Sequence, residues 1–172
     1  VLAAVSGYQS SMADSDQTKN NVLGQKMLTD ANAEYLSANQ MIVYDYQMYD
    51  GYYMAEDADK EAYYQASFSP ELQASSAANA EDPFSESYYD AMQSAPQGMF
   101  DEADRLFDLA EKWNERGDAL QLVLLISALG LALAAWATLL APENRIRVLF
   151  GLCATVALVY SLFLYIQVPV IA

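Results

Sequence analysis

The sequence predicts an all-α membrane protein in which a long antiparallel, coiled-coil-like helical stalk stands on a C-terminal transmembrane helical hairpin. Three observations predict this fold: two apolar runs near the C-terminus, a 3,4-spaced apolar stripe in the first half, and a sharp division of charge. The 172-residue chain carries a formal net charge of −15, although 54% of its residues are hydrophobic. Residues 1–118 hold 22 acidic and 6 basic side chains, whereas the remainder holds only Glu143, Arg145 and Arg147. An acidic, water-facing part is therefore followed by an apolar part, within a length suited to one domain or two small ones.

The first nine residues are mostly apolar but too few to cross a bilayer. We expect residues 1–9 to be the end of a truncated N-terminal transmembrane helix whose start lies before Val1. The alternative is a mature N-terminus, because Ala-Val-Ser-Gly also resembles the region around a signal-peptide cleavage site.

Residues 10–118 are predicted to form an acidic helical stalk domain. Residues 10–66 contain no proline, and their apolar side chains recur at the 3,4 spacing of a coiled-coil-like seam. All of the eight seam positions except Asp45 are apolar or aromatic. The eight positions are Leu28, Ala31, Tyr35, Ala38, Ile42, Asp45, Tyr49 and Tyr52. A single helix of about 40 residues must pack against a partner, which we expect downstream in the chain.

Signals for helix starts predict where that partner lies. Ser69-Pro70 and Asp82-Pro83 each place an N-cap residue before a proline at the first helical position, and Pro96 indicates a further start. From residue 97 an apolar face continues toward Gly117, where we expect a bend, and then into the first membrane span. The stalk is thus predicted to be an antiparallel pair of long helices.

Two apolar runs, residues 119–141 and 146–168, are predicted to form the transmembrane hairpin, followed by a tail at 169–172. Each run is long enough for a hydrocarbon core of about 30 Å. The connection between them, residues 142–145, contains Pro142 and is too short for anything but an antiparallel pair. Small residues at four-residue intervals predict close helix packing, although they are also simply common in membrane helices: Gly130, Ala134, Gly151 and Thr155.

These spans predict an integral protein of a prokaryotic-type inner or cell membrane, with the lipid bilayer as a partner. The positive-inside rule is nearly balanced, because Arg145 and Arg147 in the hairpin loop oppose Lys112 and Arg116 before the first span. We expect the Arg145/Arg147 loop to be cytoplasmic and the acidic domain to be outside.

The residue types present exclude several classes of function. The chain has no histidine, which excludes imidazole acid–base chemistry and histidine-ligated metals. The single cysteine, Cys153, excludes an intrachain disulfide and a cysteine-rich metal site, and we expect it to be an inert buried thiol. So acidic a chain has no basic surface for nucleic acid. We expect no enzyme activity, cofactor or metal, and we interpret the acidic run as a solvated helix face: Glu56, Asp57, Asp59 and Glu61.

Tyrosines on several faces of the first long helix predict a subunit or partner interface, because tyrosine offers a large rigid surface with a polar end. The alternative is that these residues pack within the chain. Asp45 lies inside the apolar seam. A polar residue there can fix the register or the oligomeric state of packed helices, or line a central channel. We expect instead that Asp45 lies at a partly wet edge of the seam. The interface candidates are Tyr35, Ile42, Tyr46, Tyr49, Tyr53 and Trp113.

Three carboxylates near the first span share one helix face: Glu111, Glu115 and Asp118. An oligomer would arrange them as acidic rings at the membrane mouth, and such rings attract cations. The alternative, which we favour, is that Glu111 and Glu115 pair with Lys112 and Arg116 along the same helix.

Tyr44-Asp45-Tyr46-Gln47 in the stalk has the pattern aromatic-x-Tyr-Gln. Together with the order of elements, this motif resembles an uncharacterised family of prokaryotic membrane proteins. In that family a membrane helix is followed by a helical soluble segment with the motif and then by two closing membrane helices. Met48-Tyr49 follow the motif here, where the family has a basic residue. The resemblance covers the architecture of most of the chain and implies no activity.

Taken together, these features predict a structural or accessory membrane protein that self-assembles, as a homo-oligomer, or docks onto the subunits of a larger membrane complex through its stalk. The alternative is a homo-oligomeric cation channel or transporter component with an acidic vestibule. Apart from Arg147 and Cys153, the spans contain no ionisable side chain other than tyrosine, which weakens that alternative.

Overall fold

The fold is all-α, as the sequence predicts. The computed structural model describes residues 1–171, and over this range it contains five helices and no strand. The predicted tail ends at residue 172, outside the described residues. The helices are α1 (Leu2–Tyr53), α2 (Ala58–Ala66), α3 (Pro70–Ala78), α4 (Glu86–Leu139) and α5 (Arg145–Ile166).

The chain divides into two compact units that share α1 and α4. We call Val1–Val22 with Leu106–Ala172 the apolar unit, and Leu23–Arg105 the acidic unit. The acidic unit holds 16 acidic and 3 basic side chains, a net charge of −13, and both tryptophans of the chain lie in the apolar unit. The predicted borders at residues 9 and 118 mark a change in hydropathy. The borders between the two units lie after residues 22 and 105 instead, because the units are defined by packing.

In the apolar unit, small side chains let α1 and α4 approach each other closely. Ser6, Ser10 and Ala13 are buried on α1, and the Ser10 hydroxyl donates to the Gly117 carbonyl over 3.4 Å. A Cβ at Gly117 would lie 3.7 Å from the Ala13 Cβ and 2.9 Å from Asp14 Oδ1. α4 continues through Gly117, so this glycine serves as a point of close approach within an uninterrupted helix rather than as a helix end.

Within the apolar unit, the first turns of α1 contact α4 and α5, and the segment after α5 contacts α4. A Cβ at Gly7 would lie 3.5 Å from Leu124 of α4. The Tyr165 hydroxyl of α5 donates to Gln9 Oε1 over 3.2 Å. The Arg116 guanidinium donates to the carbonyl of Pro169, which follows α5. The predicted end of a membrane helix, residues 1–9, therefore lies beside the predicted membrane spans.

The acidic unit has its own core, built where α2 and α3 pack against α1 and α4. Four side chains are buried there: Phe68, Leu72, Tyr88 and Met92. Half-buried aromatic and aliphatic side chains surround them: Ile42, Met48, Tyr49, Tyr52, Phe84 and Tyr89. In the acidic unit the predicted pair of long helices is thus completed by two short helices.

The prolines give mixed results as signals for helix starts. Ser69 is the N-cap of α3 and Pro70 its first residue, as predicted. The prediction at Asp82-Pro83 is wrong, because these residues form a turn and α4 begins at Glu86. Pro96 is not a start either, since it is buried inside α4. An internal proline costs a helix about 3 kcal/mol, which the packing of a 54-residue helix can offset.

The first long helix ends before the proline-free range 10–66 does. α1 ends at Tyr53, and a new helix, α2, begins at Ala58. The Asp57 carboxylate accepts from the backbone N–H of Lys60 and so caps α2. An aspartate that satisfies a free N–H at a helix start favours this new start over continuation of α1.

Candidate functional site

The most unusual polar group of the acidic unit is a fully buried carboxylate, Asp45 of α1. Its exposed fraction is 0%. Asp45 Oδ1 accepts from the backbone N–H of Ser69 over 2.8 Å. Asp45 Oδ2 accepts from the Ser69 hydroxyl over 2.5 Å and from the Tyr88 hydroxyl over 2.8 Å. The expectation that Asp45 lies at a partly wet edge is therefore wrong, because three donors from two other segments replace water around it.

This carboxylate connects three helices. Ser69 is the N-cap of α3, and its hydroxyl oxygen also accepts from the N–H of Leu72 over 3.1 Å. The negative charge of Asp45 thus sits at the positive end of the α3 dipole. Tyr88 belongs to α4, so its hydrogen bond links Asp45 to that helix. Burial, together with this hydrogen bond, raises the pKa of the Tyr88 hydroxyl far above its usual value. Asp45 is consequently a positioning group for α3.

Beside this network lies a cluster of aromatic rings. Phe84 stacks on Tyr46 with ring centroids 4.2 Å apart and contacts Tyr49 and Tyr88 edge-on. The hydroxyls of Tyr46 and Tyr89 are hydrogen-bonded to each other, across α1 and α4. That bond, followed by burial and the proximity of Asp82, raises the pKa of Tyr89 to about 12.

The six interface candidates fall into two groups. Ile42 and Tyr49 are half-buried against the core of the acidic unit, and Trp113 is half-buried in the apolar unit. Tyr35, Tyr46 and Tyr53 are exposed, by 45%, 42% and 80%. Of these three, Tyr35 also contacts Phe100 edge-on and Tyr46 contacts α4.

The four membrane packing candidates also differ in their surroundings. A Cβ at Gly130 would lie 3.2 Å from Ala157 Cβ and Leu158 Cγ and 3.4 Å from the Ala154 carbonyl oxygen. Gly130 of α4 is therefore at a close contact with α5, and Ala134 is half-buried one turn further on. Gly151 has no side-chain or neighbouring-helix atom within 4 Å of such a Cβ, and Thr155 is exposed with its hydroxyl donating to the Gly151 carbonyl. The intrachain contact of α5 uses Ala154 and Ser161 instead.

The acidic mouth candidates Glu111, Glu115 and Asp118 are all exposed on α4. Within residues 1–171 the ion pairs are Lys60–Asp57 and Arg105–Glu102, so the favoured pairing with Lys112 and Arg116 is not present. Arg116 donates to the Pro169 carbonyl instead. Cys153 is exposed on α5 rather than buried, because it lies at the open edge of the groove between α4 and α5, beside Ile126, Leu129 and Leu133.

A cavity of about 530 Å³ opens in the acidic unit between the end of α1 and the two short helices. Tyr49, Tyr52 and Phe68 line it, with centroids 5.7–6.0 Å apart, together with the polar side chains of Gln65, Gln73 and Ser76. Sequence reasoning missed this cavity because its walls meet only when α2 and α3 fold back onto α1. The cluster of tyrosines at the end of α1 was the only signal of it.

No protein-family model matches the chain, and no curated protein or solved structure is detectably similar to it. Among residues 1–171, no group of three or more cysteine, aspartate and glutamate side chains is arranged to hold a metal ion.

Proposed function

We propose that this chain is an integral membrane protein of structural or accessory function, which self-assembles or docks onto a larger membrane complex through its acidic unit. The observation that carries the membrane part is the exposure of its most apolar helices. α4 and α5 are long and apolar enough to span a bilayer, yet only 22% and 11% of their most apolar windows are buried within the chain. A core helix of a water-soluble protein would bury most of such a window.

Exposed side chains of α1 support the docking part of the proposal. Within the acidic unit this helix exposes nine large apolar and aromatic side chains: Leu23, Leu28, Tyr35, Leu36, Met41, Val43, Tyr44, Tyr46 and Tyr53. Tyr35, Tyr46 and Tyr53 are spaced by 11 and 7 residues, which places them on one side of the helix, here called the docking face. All three remain exposed, although Tyr35 and Tyr46 also contact α4. Exposed apolar surface of this kind, rimmed by polar residues, is typical of protein interfaces, and tyrosine is enriched there.

The test is site-specific photo-crosslinking in native membranes. A benzoylphenylalanine introduced at Tyr53 or Tyr35 should give adducts to a second copy or to another subunit, identified by mass spectrometry. The same group at Glu56, which is exposed but outside this face, is the matched control. Two results together would contradict the proposal. The group at Tyr53 or Tyr35 would give no more adduct than the group at Glu56, and the chain would run as a lone monomer after mild detergent extraction.

A second candidate function is a cation channel or transporter component with an acidic vestibule. It is favoured by one observation, the three exposed carboxylates Glu111, Glu115 and Asp118, none of which takes part in the ion pairs of residues 1–171. Oligomerisation would arrange them as rings. Cation flux in proteoliposomes that falls with Glu115→Gln and Asp118→Asn would favour this function, and its absence would favour the first.

A further inference from the structure

The cavity of the acidic unit has the composition of a ligand site. Its volume of about 530 Å³ lies within the usual range for small-molecule sites. Three aromatic rings line it, together with the side-chain amides of Gln65 and Gln73. These amides are exposed and offer hydrogen-bond donors and acceptors to a polar group of a ligand.

Charge decides what kind of ligand fits. Glu61 of α2 is next to Ala62 and one helical turn before Gln65, both of which line the cavity, and its negative charge raises the pKa of the Tyr52 hydroxyl. Of the three bases in the acidic unit, Lys60 is paired with Asp57 at 3.3 Å and Arg105 with Glu102 at 2.7 Å. The third, Lys26, lies about 39 Å from Tyr52 along α1 by the helical rise. The cavity is therefore in a strongly negative field with no free cation beside it.

We propose that this cavity binds a small organic cation of the alkylammonium class, held by the rings of Tyr49, Tyr52 and Phe68 and by the negative charge of Glu61. Aromatic rings attract such cations through their electron-rich faces, and the attraction strengthens where water is excluded. The carbon substituents of the cation would contact the rings, while a polar hydrogen would reach the amide oxygen of Gln65 or Gln73. The proposal is independent of the docking face, because none of these side chains belongs to it.

The experiment compares choline with 3,3-dimethylbutan-1-ol, its uncharged carbon analogue, on the full chain in a maltoside detergent. Binding is measured by isothermal titration calorimetry and by ligand-observed NMR in about 0.15 M salt, where diffuse attraction to the surface is screened. We expect choline to bind in the millimolar range or tighter, and the neutral analogue to bind at least about tenfold more weakly.

Variants locate the site. Tyr52→Leu should weaken choline binding about 5- to 20-fold, whereas Tyr52→Phe, which keeps the ring, should stay within about twofold of the unsubstituted chain. Tyr63→Leu is the matched control, because Tyr63 is 67% exposed and does not line the cavity. Glu61→Gln should also weaken binding, and Glu56→Gln should not. Helical circular dichroism establishes that each variant is folded, and the Glu61 pair remains informative if Tyr52→Leu fails to fold.

Three outcomes would overturn the proposal. The first is that neither compound binds, and the second is that both bind equally, since the site would then not recognise charge. The third is that Tyr63→Leu or Glu56→Gln weakens choline binding as much as its partner variant, which would indicate attraction to the acidic surface as a whole.

Discussion

At the scale of single residues, a buried carboxylate that accepts three hydrogen bonds cannot lose them cheaply. We expect Asp45→Ala to lower the free energy of unfolding by about 2–4 kcal/mol, because three donors around the site would lose their acceptor. Asp45→Asn should cost less, about 1 kcal/mol, since one acceptor oxygen remains for the Ser69 N–H. Chemical denaturation followed by circular dichroism measures both.

The control for Asp45 is its neighbour on the same helix, Asp50, which is exposed. Asp50→Ala should change the unfolding free energy by less than about 0.5 kcal/mol. Equal effects of the two substitutions would show that general acidity, and not the hydrogen bonds of Asp45, determines stability.

Tyrosine ionisation gives a prediction at alkaline pH. The pKa of Tyr89 is raised to about 12 and that of Tyr88 further, relative to an ordinary value of 10.0. A group whose pKa is higher in the folded state stabilises it fully below the unfolded pKa, and this stability is lost as pH rises through the folded pKa. The unfolding free energy should therefore fall between about pH 10 and 12.

Thermal unfolding at a series of alkaline pH values, together with tyrosinate absorbance, tests this. Tyr89→Phe should flatten the fall, because it removes one titrating hydroxyl and the hydrogen bond to Tyr46. Tyr63→Phe is the control, since Tyr63 is exposed. A fall of the same steepness in Tyr89→Phe and Tyr63→Phe would exclude the Tyr46–Tyr89 pair as its source.

The same residues show what a sequence can and cannot give at this scale. The 3,4 spacing places Asp45 in the seam between helices, where it is buried although its side chain is charged, whereas Leu28 and Tyr35 of the same seam are exposed. Ser69 and Tyr88, the partners of Asp45, are 24 and 43 positions away. No local pattern links them, so the network becomes evident only once α3 and α4 are in place.

At the scale of elements, two glycines of the predicted spans form a matched pair. Gly130→Leu should destabilise the contact between α4 and α5 by about 1–3 kcal/mol, because even a Cβ there would be 3.2 Å from Ala157 and Leu158. Gly151→Leu should be neutral within the chain, since that position is open. Unfolding in mixed micelles with increasing dodecyl sulfate measures the difference.

If Gly151→Leu proves as harmful as Gly130→Leu, the open side of α5 must be covered by another chain. Crosslinking through Thr155→Cys in a Cys153→Ser background would then detect that partner, because Thr155 is exposed one helical turn from Gly151 on the same side of α5. Equal tolerance of both substitutions would contradict the close contact at Gly130.

The elements themselves were predictable to different degrees. Long apolar periodicity predicted α1, α4 and α5, because it reflects contacts along the whole length of a helix. Prolines predicted poorly, as Pro83 lies in a turn and Pro96 inside α4. Their local preference is worth a few kcal/mol, and the tertiary contacts of a long helix outweigh it.

At the scale of the whole molecule, residence in a bilayer predicts the reactivity of Cys153. In intact membranes we expect its thiol to resist a water-soluble maleimide, because a thiolate is disfavoured in apolar surroundings, and to react fully after denaturation in dodecyl sulfate. The control is Glu143→Cys in a Cys153→Ser background, since Glu143 lies exposed in the connection between α4 and α5. Mass spectrometry of the labelled chain gives the readout.

Rapid labelling of Cys153 in sealed membranes would contradict a membrane location for α5. The Glu143→Cys control also reports orientation, because a cytoplasmic loop is labelled only after the membrane is permeabilised. At this scale, hydropathy is sufficient to predict the two apolar helices. The division into units depends on packing between segments that are distant in sequence, and composition does not predict that packing.

The placement of the aromatic residues has a practical consequence. Trp113 and Trp136 both lie in the apolar unit, and the acidic unit contains tyrosine but no tryptophan. Indole emission therefore reports on the apolar unit alone, while the tyrosine bands of the near-ultraviolet spectrum are weighted toward the acidic unit, which holds ten of the thirteen tyrosines. A single heating ramp can record indole emission and tyrosine absorbance together. Coincident transitions would show that α1 and α4 melt as whole helices, and separate transitions would show that melting stops at the unit borders, between residues 22 and 23 and between 105 and 106.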